Sequence, residues 1–285
     1  LPRNIDAGAA FGIAPGTRPV TQDEVAVGAE LALAGALRAT LWGQGRTLRH
    51  GLETVAGEFG NPGAGGTATA TRETELIGFQ LELRRRDATA IRTGVTWART
   101  VGTWAGPFDP RSGANQLQSP DWDVDPSNLY GPLPTDAGAR LFVEAEHRAA
   151  IDAVGLAIAA RLTAASGRPR SVLADDGQGG ITELVPRGSA GDNPVVAQAN
   201  VRLAARWRGV DVRLDIVNLF DRRDVTNLDE LYTSSAVRPV EGGGASDLVF
   251  LKDDAGAPAR RRTAFRLPTA YQPPLSVTLG VHKEF

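Results

Sequence analysis

Asp121, Asp123 and Asp125 stand at alternate positions in PDWDVDPSN, the spacing with which a calcium-binding loop begins. Such a loop also requires glycine at its sixth position and glutamate at its twelfth. Pro126 occupies the first of these and Pro132 the second, so the three aspartates read as a solvated acidic loop and are at most weak metal candidates. His50, His147 and His282 fall in separate segments without metal-ligand spacing. Serine, histidine and aspartate are all present, but no G-x-S-x-G elbow places a nucleophile. The glycine runs at Gly179-Gly180 and Gly242–Gly244 lack the lysine of a phosphate-binding loop. With no cysteine, thiolate chemistry and disulfides are excluded. The chain is therefore not expected to be an enzyme, and no catalytic residue or cofactor is assigned.

The elements that must position any site are strands. Val210, Val212, Leu214 and Ile216 alternate with Asp211, Arg213 and Asp215; Leu275, Val277, Leu279 and Val281 alternate with Ser276, Thr278, Gly280 and His282. A period of two is how a strand reads when one face meets an apolar medium and the other a polar one. The same alternation recurs over residues 25–33, 37–44, 77–83, 91–97, 141–146, 154–162 and 198–203. Between these runs, short turns near residues 34–35, 84–87, 150–152 and 206–209 alternate with long loops near 50–74, 102–139, 165–194 and 221–273.

That regular asymmetry separates architectures. A β-sandwich mixes its loop lengths, and a soluble up-and-down barrel keeps its loops short. Outer-membrane barrels combine short periplasmic turns with long external loops and strands that are apolar outside and polar inside. No apolar run approaches the ~18 residues of a membrane helix; the longest, Ala153–Ala160, is about half that. The sequence predicts an all-β, antiparallel up-and-down transmembrane barrel segment of nine strands. Arg92, Arg161, Arg202 and Arg213 fall on its inward faces, where they solvate the lumen beside Glu82, Glu144, Glu146, Asp211 and Asp215, or contact an anionic substrate. Arg260–Arg262 sits in the longest loop, where it meets either solvent or anionic lipopolysaccharide. The formal net charge of −2 gives no reason to expect a nucleic-acid partner. An odd strand number, together with the absence of any methionine, suggests a piece of a longer protein.

Asn218-Leu219-Phe220-Asp221, at the end of the penultimate strand, resembles the NLF[DN] motif at that place in TonB-dependent outer-membrane receptors. TQDEVAVGAEL (21–31), NLYGPLPTD (128–136), ASGRP (165–169), PRGSAGDNP (186–194) and DVTNLDELYT (224–233) are similar to segments of the same family in the same order. The terminal strand, with Thr278, Gly280 and Phe285, resembles the signal read by the barrel-assembly machinery, although Lys283 stands where an aromatic is usual. Ala137-Gly138-Ala139 also departs from the basic residue and histidine that often follow NLYGPLPTD.

The resemblance implies a Gram-negative outer-membrane receptor of 22 strands with an N-terminal plug and a TonB-binding box. Residues 23–285 would be the C-terminal portion of its barrel and residues 1–22 an external loop remnant. The implied function is TonB-driven uptake of a scarce nutrient of the ferric siderophore, cobalamin or oligosaccharide class. The implied partners are the TonB complex, the assembly machinery, outer-membrane lipid and lipopolysaccharide, and a small-molecule or metal-chelate substrate. The alternatives are a passive porin-type barrel and a soluble β-rich binding module.

Overall fold

Each alternating run becomes a long strand hydrogen-bonded to the next in sequence. The computed structural model describes residues 16–51, 53–55, 58–60, 70–85, 88–104, 108–109, 114–115, 127–175 and 181–283. Its nine long strands are β1 (Thr21–Ala34), β2 (Leu37–Arg49), β3 (Thr71–Arg85), β4 (Thr89–Gly102), β5 (Ala139–Ile151), β6 (Val154–Ala165), β7 (Val196–Trp207), β8 (Val210–Val217) and β9 (Ser276–Lys283). They form one sheet in the order β1 to β9, every long neighbour antiparallel, with the short Gly131–Pro132 strand added at the outer end of β4. Among the described residues β1 and β9 each have a single neighbour, so the wall is open there. No helix of the described residues is long and apolar enough to cross a membrane.

Register carries the two faces unbroken around the wall. One apolar row runs Val27, Gly43, Ile77, Trp97, Ala139; another runs Ile158, Leu203, Leu214, Leu279. Val27, Ile77 and Leu279 are more than half exposed, as they must be when lipid, not protein, is their partner. The opposite face carries the charges. Strand pairing also runs further than the apolar alternation does: β2 and β3 stay in register out to Arg49 and Thr71, so that residues 71–74 of β3 fall inside the stretch expected to be loop. The outer strand ends therefore stand beyond the apolar band, and lack the apolar alternation by which a strand is recognised in sequence.

The short connections obey turn chemistry. Between β7 and β8, Arg208 and Gly209 both have positive φ (48° and 76°), which a two-residue turn matching the strand twist requires. Inside the wall, two aromatic rings cover cross-strand glycines. Trp42 lies against Gly78, where a Cβ would come within 2.1 Å of its ring, and Phe142 lies against Gly94, where the gap would be 2.6 Å.

The packed core sits outside the wall. Val172, Leu184, Val185, Tyr232, Leu248, Leu251 and Phe265 bury one another, with Tyr232 and Phe265 edge-to-face at 5.2 Å. All belong to the connections β6–β7 and β8–β9, which were expected simply as loops. Three short strands tie them: Leu173–Asp175 pairs with Ile181–Glu183 and, in parallel, with Leu231–Thr233. A lumen filled with charge and an exterior facing lipid leave the external loops as the place where these side chains can be shielded from water.

Candidate functional site

On the polar face, strand register places Arg38, Glu82, Arg92, Glu144, Arg161 and Asn200 in one row, alternating in sign over five strands. Glu144 is held by Arg92 at 2.6 Å and by Arg161 at 3.3 Å. One row nearer the short turns, Arg202 lies opposite Asp215 and Asp215 opposite Thr278. Asp215 accepts from Arg202 at 2.5 Å and from Arg213 at 3.0 Å, while Arg148 takes Glu146 at 2.5 Å. Five arginines thus meet three carboxylates. Glu144 and Asp215 lie low (23% and 18% exposed), whereas their four arginines are about half exposed (49–57%) and present free guanidinium edges to the lumen. Arg92, Glu144, Arg161, Arg202, Asp215 and Thr278 share one trough of about 590 Å³. All four sequence-selected arginines therefore fall on one face, in two pairs that each straddle an acid. Gly280, opposite Arg213, leaves its side of the face open.

The NLFD residues form the outer rim. Asn218 is almost fully buried and holds φ of 55°. Its Nδ2 donates to the carbonyls of Arg222 and Pro273, both at 2.8 Å; its Oδ1 accepts from the Arg222 N–H, and its own N–H donates to Asn200 Oδ1. Asp221 Oδ1 accepts from the Leu275 N–H at 2.9 Å, tying the start of the loop to its return. Leu219 and Phe220 point outward, Phe220 strongly exposed. The motif is a clamp across β7, β8 and the approach to β9. Beside it, the Arg222 guanidinium and then the Ala197 N–H hold the Asp224 carboxyl below its ordinary range.

Above the trough, segments far apart in sequence meet in a buried polar network. Arg187 and Glu183, both essentially sealed from solvent, pair at 3.1 Å, and Arg187 Nη1 donates to the Thr103 carbonyl at the end of β4. Arg187 N–H donates to the Asn128 carbonyl. Asn128 Nδ2 in turn donates to the carbonyls of Glu183 and Val240, and Asn128 Oδ1 accepts from the Gly242 N–H. A second, partly buried pair, Arg168 and Glu230 at 2.7 Å, joins the β6–β7 loop to the β8–β9 loop, with Glu230 also accepting from the Ser171 N–H. The segments NLYGPLPTD, ASGRP, PRGSAGDNP and DELYT thus supply Asn128, Arg168, Arg187 and Glu230 to a single layer. None of these four was singled out from sequence, although the segments containing them were; their isolated charges gave no sign of the partners that burial would bring.

The remaining candidates are scattered. His147 lies on the lipid face near a short turn, bonded to Thr89 Oγ1 at 2.9 Å; His50 is at the outer end of β2 and His282 on the polar face of β9. Asp121, Asp123, Asp125 and Phe285 lie outside the described residues. Among the described residues no three histidines or acids come together as a metal-ligand group.

A one-layer antiparallel wall, apolar on one face and charged on the other, with short turns at one end and folded loops at the other, has the architecture of part of the wall of an outer-membrane β-barrel. Over 95% of its length the chain is 24% identical to the TonB-dependent transporter Oar of Myxococcus xanthus, of which it spans 29%. In fold it is similar to the outer membrane transporter YddB of Escherichia coli, at a TM-score of 0.56 and 10% identity, matching 95% of this chain and 34% of that one. The FrpB iron transporter of Neisseria meningitidis gives a TM-score of 0.50 at 12% identity, over 95% of this chain and 33% of that one. No protein-family model matches. The resemblance to TonB-dependent outer-membrane receptors is borne out, and so are the barrel architecture and the outer-membrane location of a Gram-negative bacterium. The relatives are named as transporters.

Proposed function

We propose that this chain forms wall, lumen lining and external loops of a TonB-driven receptor that takes up an anionic metal chelate, within the broader ferric siderophore, cobalamin or oligosaccharide class. The observation that carries the reading is the polar face of the wall, where five arginines pair with three carboxylates around a trough that three of those arginines and all three acids line. Excess guanidinium in a confined, polar channel raises the local concentration of anions and offers each a planar fork of donors. Arg92, Arg161, Arg202 and Arg213 are the proposed contacts for substrate or plug. In this reading residues 23–285 are the C-terminal portion of the barrel and residues 1–22 an external loop remnant. Thr278 and Gly280, with Phe285, address β9 to the assembly machinery, and TonB engages the receptor elsewhere.

Uptake of radiolabelled ferric chelates by whole cells tests this. Deleting the gene or disabling TonB should each abolish uptake of one anionic chelate. Replacing Arg92 and Arg161 by glutamine should raise its half-saturating concentration about tenfold, with the amount of folded barrel unchanged. Uptake that persists without TonB would replace the receptor by a passive pore, and purification as a soluble monomer without detergent would remove the membrane reading altogether.

A further inference from the structure

From Ala255 to Lys283 the sequence contains no aspartate or glutamate, and three of its cations are consecutive. Arg260, Arg261 and Arg262 curl with Thr263 against Ser234 and Ser235 around an external hollow of about 350 Å³ that no carboxylate lines. The hollow is braced. Arg262 N–H donates to the Tyr232 carbonyl at 2.7 Å, fixing the arginine run beside residues 232–235, and the Ser235 N–H donates to Thr233 Oγ1. The Arg261 guanidinium rests over the buried Phe265 ring at 5.3 Å, and Phe265 is wedged against Tyr232. Asp229 reaches Arg262 at 3.6 Å. Among the described residues Arg260 has no carboxylate partner, and the hydroxyls of Ser234, Ser235 and Thr263 make no bond within the chain.

We infer that this hollow binds a tetrahedral oxyanion, the phosphate or sulfate group of an ester, at the outer face of the protein. Guanidinium groups can only donate hydrogen bonds, and the three hydroxyls are free to do so. Three arginines less the one charge of Asp229 leave a net of two positive charges, which a phosphate monoester dianion neutralises. A carboxylate would leave most of these donors unused; three terminal oxygens engage them from several sides. The volume lies at the lower end of the ~300–1,000 Å³ of small-ligand sites, enough for the anionic group and the first atoms of what it is attached to. That attachment is either a phosphorylated lipid headgroup of the outer leaflet or a soluble ester. The hollow is separate from the lumen trough, so the inference does not depend on what the barrel transports.

Calorimetry on the intact protein in detergent, at low ionic strength, tests the site with inorganic phosphate, sulfate and chloride. Phosphate or sulfate should bind with one site per chain, and chloride should not compete at equal concentration. Arg260→Gln with Arg261→Gln should weaken binding by about tenfold or more, Arg260→Glu should abolish it, and Arg238→Gln, on the same loop but outside the hollow, should leave it unchanged. Since Arg260 is exposed and without a carboxylate partner, its variants should retain the heat-modifiable band of the folded barrel. A second arm titrates bisphosphorylated lipid A in micelles against its dephosphorylated form: a preference lost in Arg260→Glu assigns a lipid source, and phosphate binding without it assigns a soluble ester. Absence of binding, equal binding of chloride, or binding indifferent to Arg260 and Arg261 would overturn the proposal, whatever the uptake experiment shows.

Discussion

Asn218 shows how much a single side chain carries at the rim. Its amide closes three hydrogen bonds to backbone groups of two segments while its backbone sits in the left-handed region. Asn218→Ala removes all three bonds and keeps the strained φ, and should cost about 2–4 kcal/mol. Asn218→Gly removes the same bonds but relieves the backbone, so it should be milder by about 1 kcal/mol. Urea unfolding of the refolded barrel in lipid vesicles reads both numbers; equal losses would mean that the left-handed backbone carries no strain. Arg187 poses a different question, because a buried ion pair repays its desolvation only when both partners are present. Arg187→Ala strands Glu183 and should cost about 3–5 kcal/mol, whereas the double substitution Glu183→Leu with Arg187→Met, which removes both charges together, should cost far less. Protease nicking of the external loops on intact cells should follow the same order.

At the scale of elements, the strands are held by register and by what lies across from each residue. Trp42 lies over Gly78 on the neighbouring strand, and a methyl group placed there would enter the indole ring. Gly78→Ala should therefore destabilise the β2–β3 pair by about 1–3 kcal/mol through overpacking. Trp42→Ala combined with Gly78→Ala should be less damaging than the two losses added, since the clash exists only while both groups are present. The loop connections behave as elements too: Tyr232, Leu248, Leu251 and Phe265 give them a core of their own. Their apolar residues are spaced irregularly and far apart, and so give no period to detect. Asn128 and Arg187 likewise lie 59 positions apart in the chain, and only the folded loops bring them into one network.

For the whole molecule, the membrane assigns each face its tolerance. Leu279 faces lipid and Thr278 faces the lumen, one residue apart on β9. Leu279→Arg should lower unfolding stability in vesicles by about 2–4 kcal/mol if it lies near the bilayer midplane, and Thr278→Arg should change it by about 0.5 kcal/mol or less. Reversed costs would mean that the faces are assigned the wrong way round. This two-sidedness was legible in the sequence because a strand exposes alternate residues to different media, so composition alone separates lipid-facing Val212 and Leu214 from lumen-facing Arg213 and Asp215. Nine strands, their order, their short turns and the inward placement of Arg92, Arg161, Arg202 and Arg213 all follow from that local rule. Tertiary structure decided what no local rule reaches. It settled which acid is shared across strands, with Arg92 and Arg161 converging on Glu144 from the strands on either side and Arg202 reaching Asp215 from the neighbouring strand, because cross-strand register sets those distances. It also brought the long connections together into a layer with buried Arg187 and partly buried Arg168, whose stability comes from contacts between segments that share no periodicity.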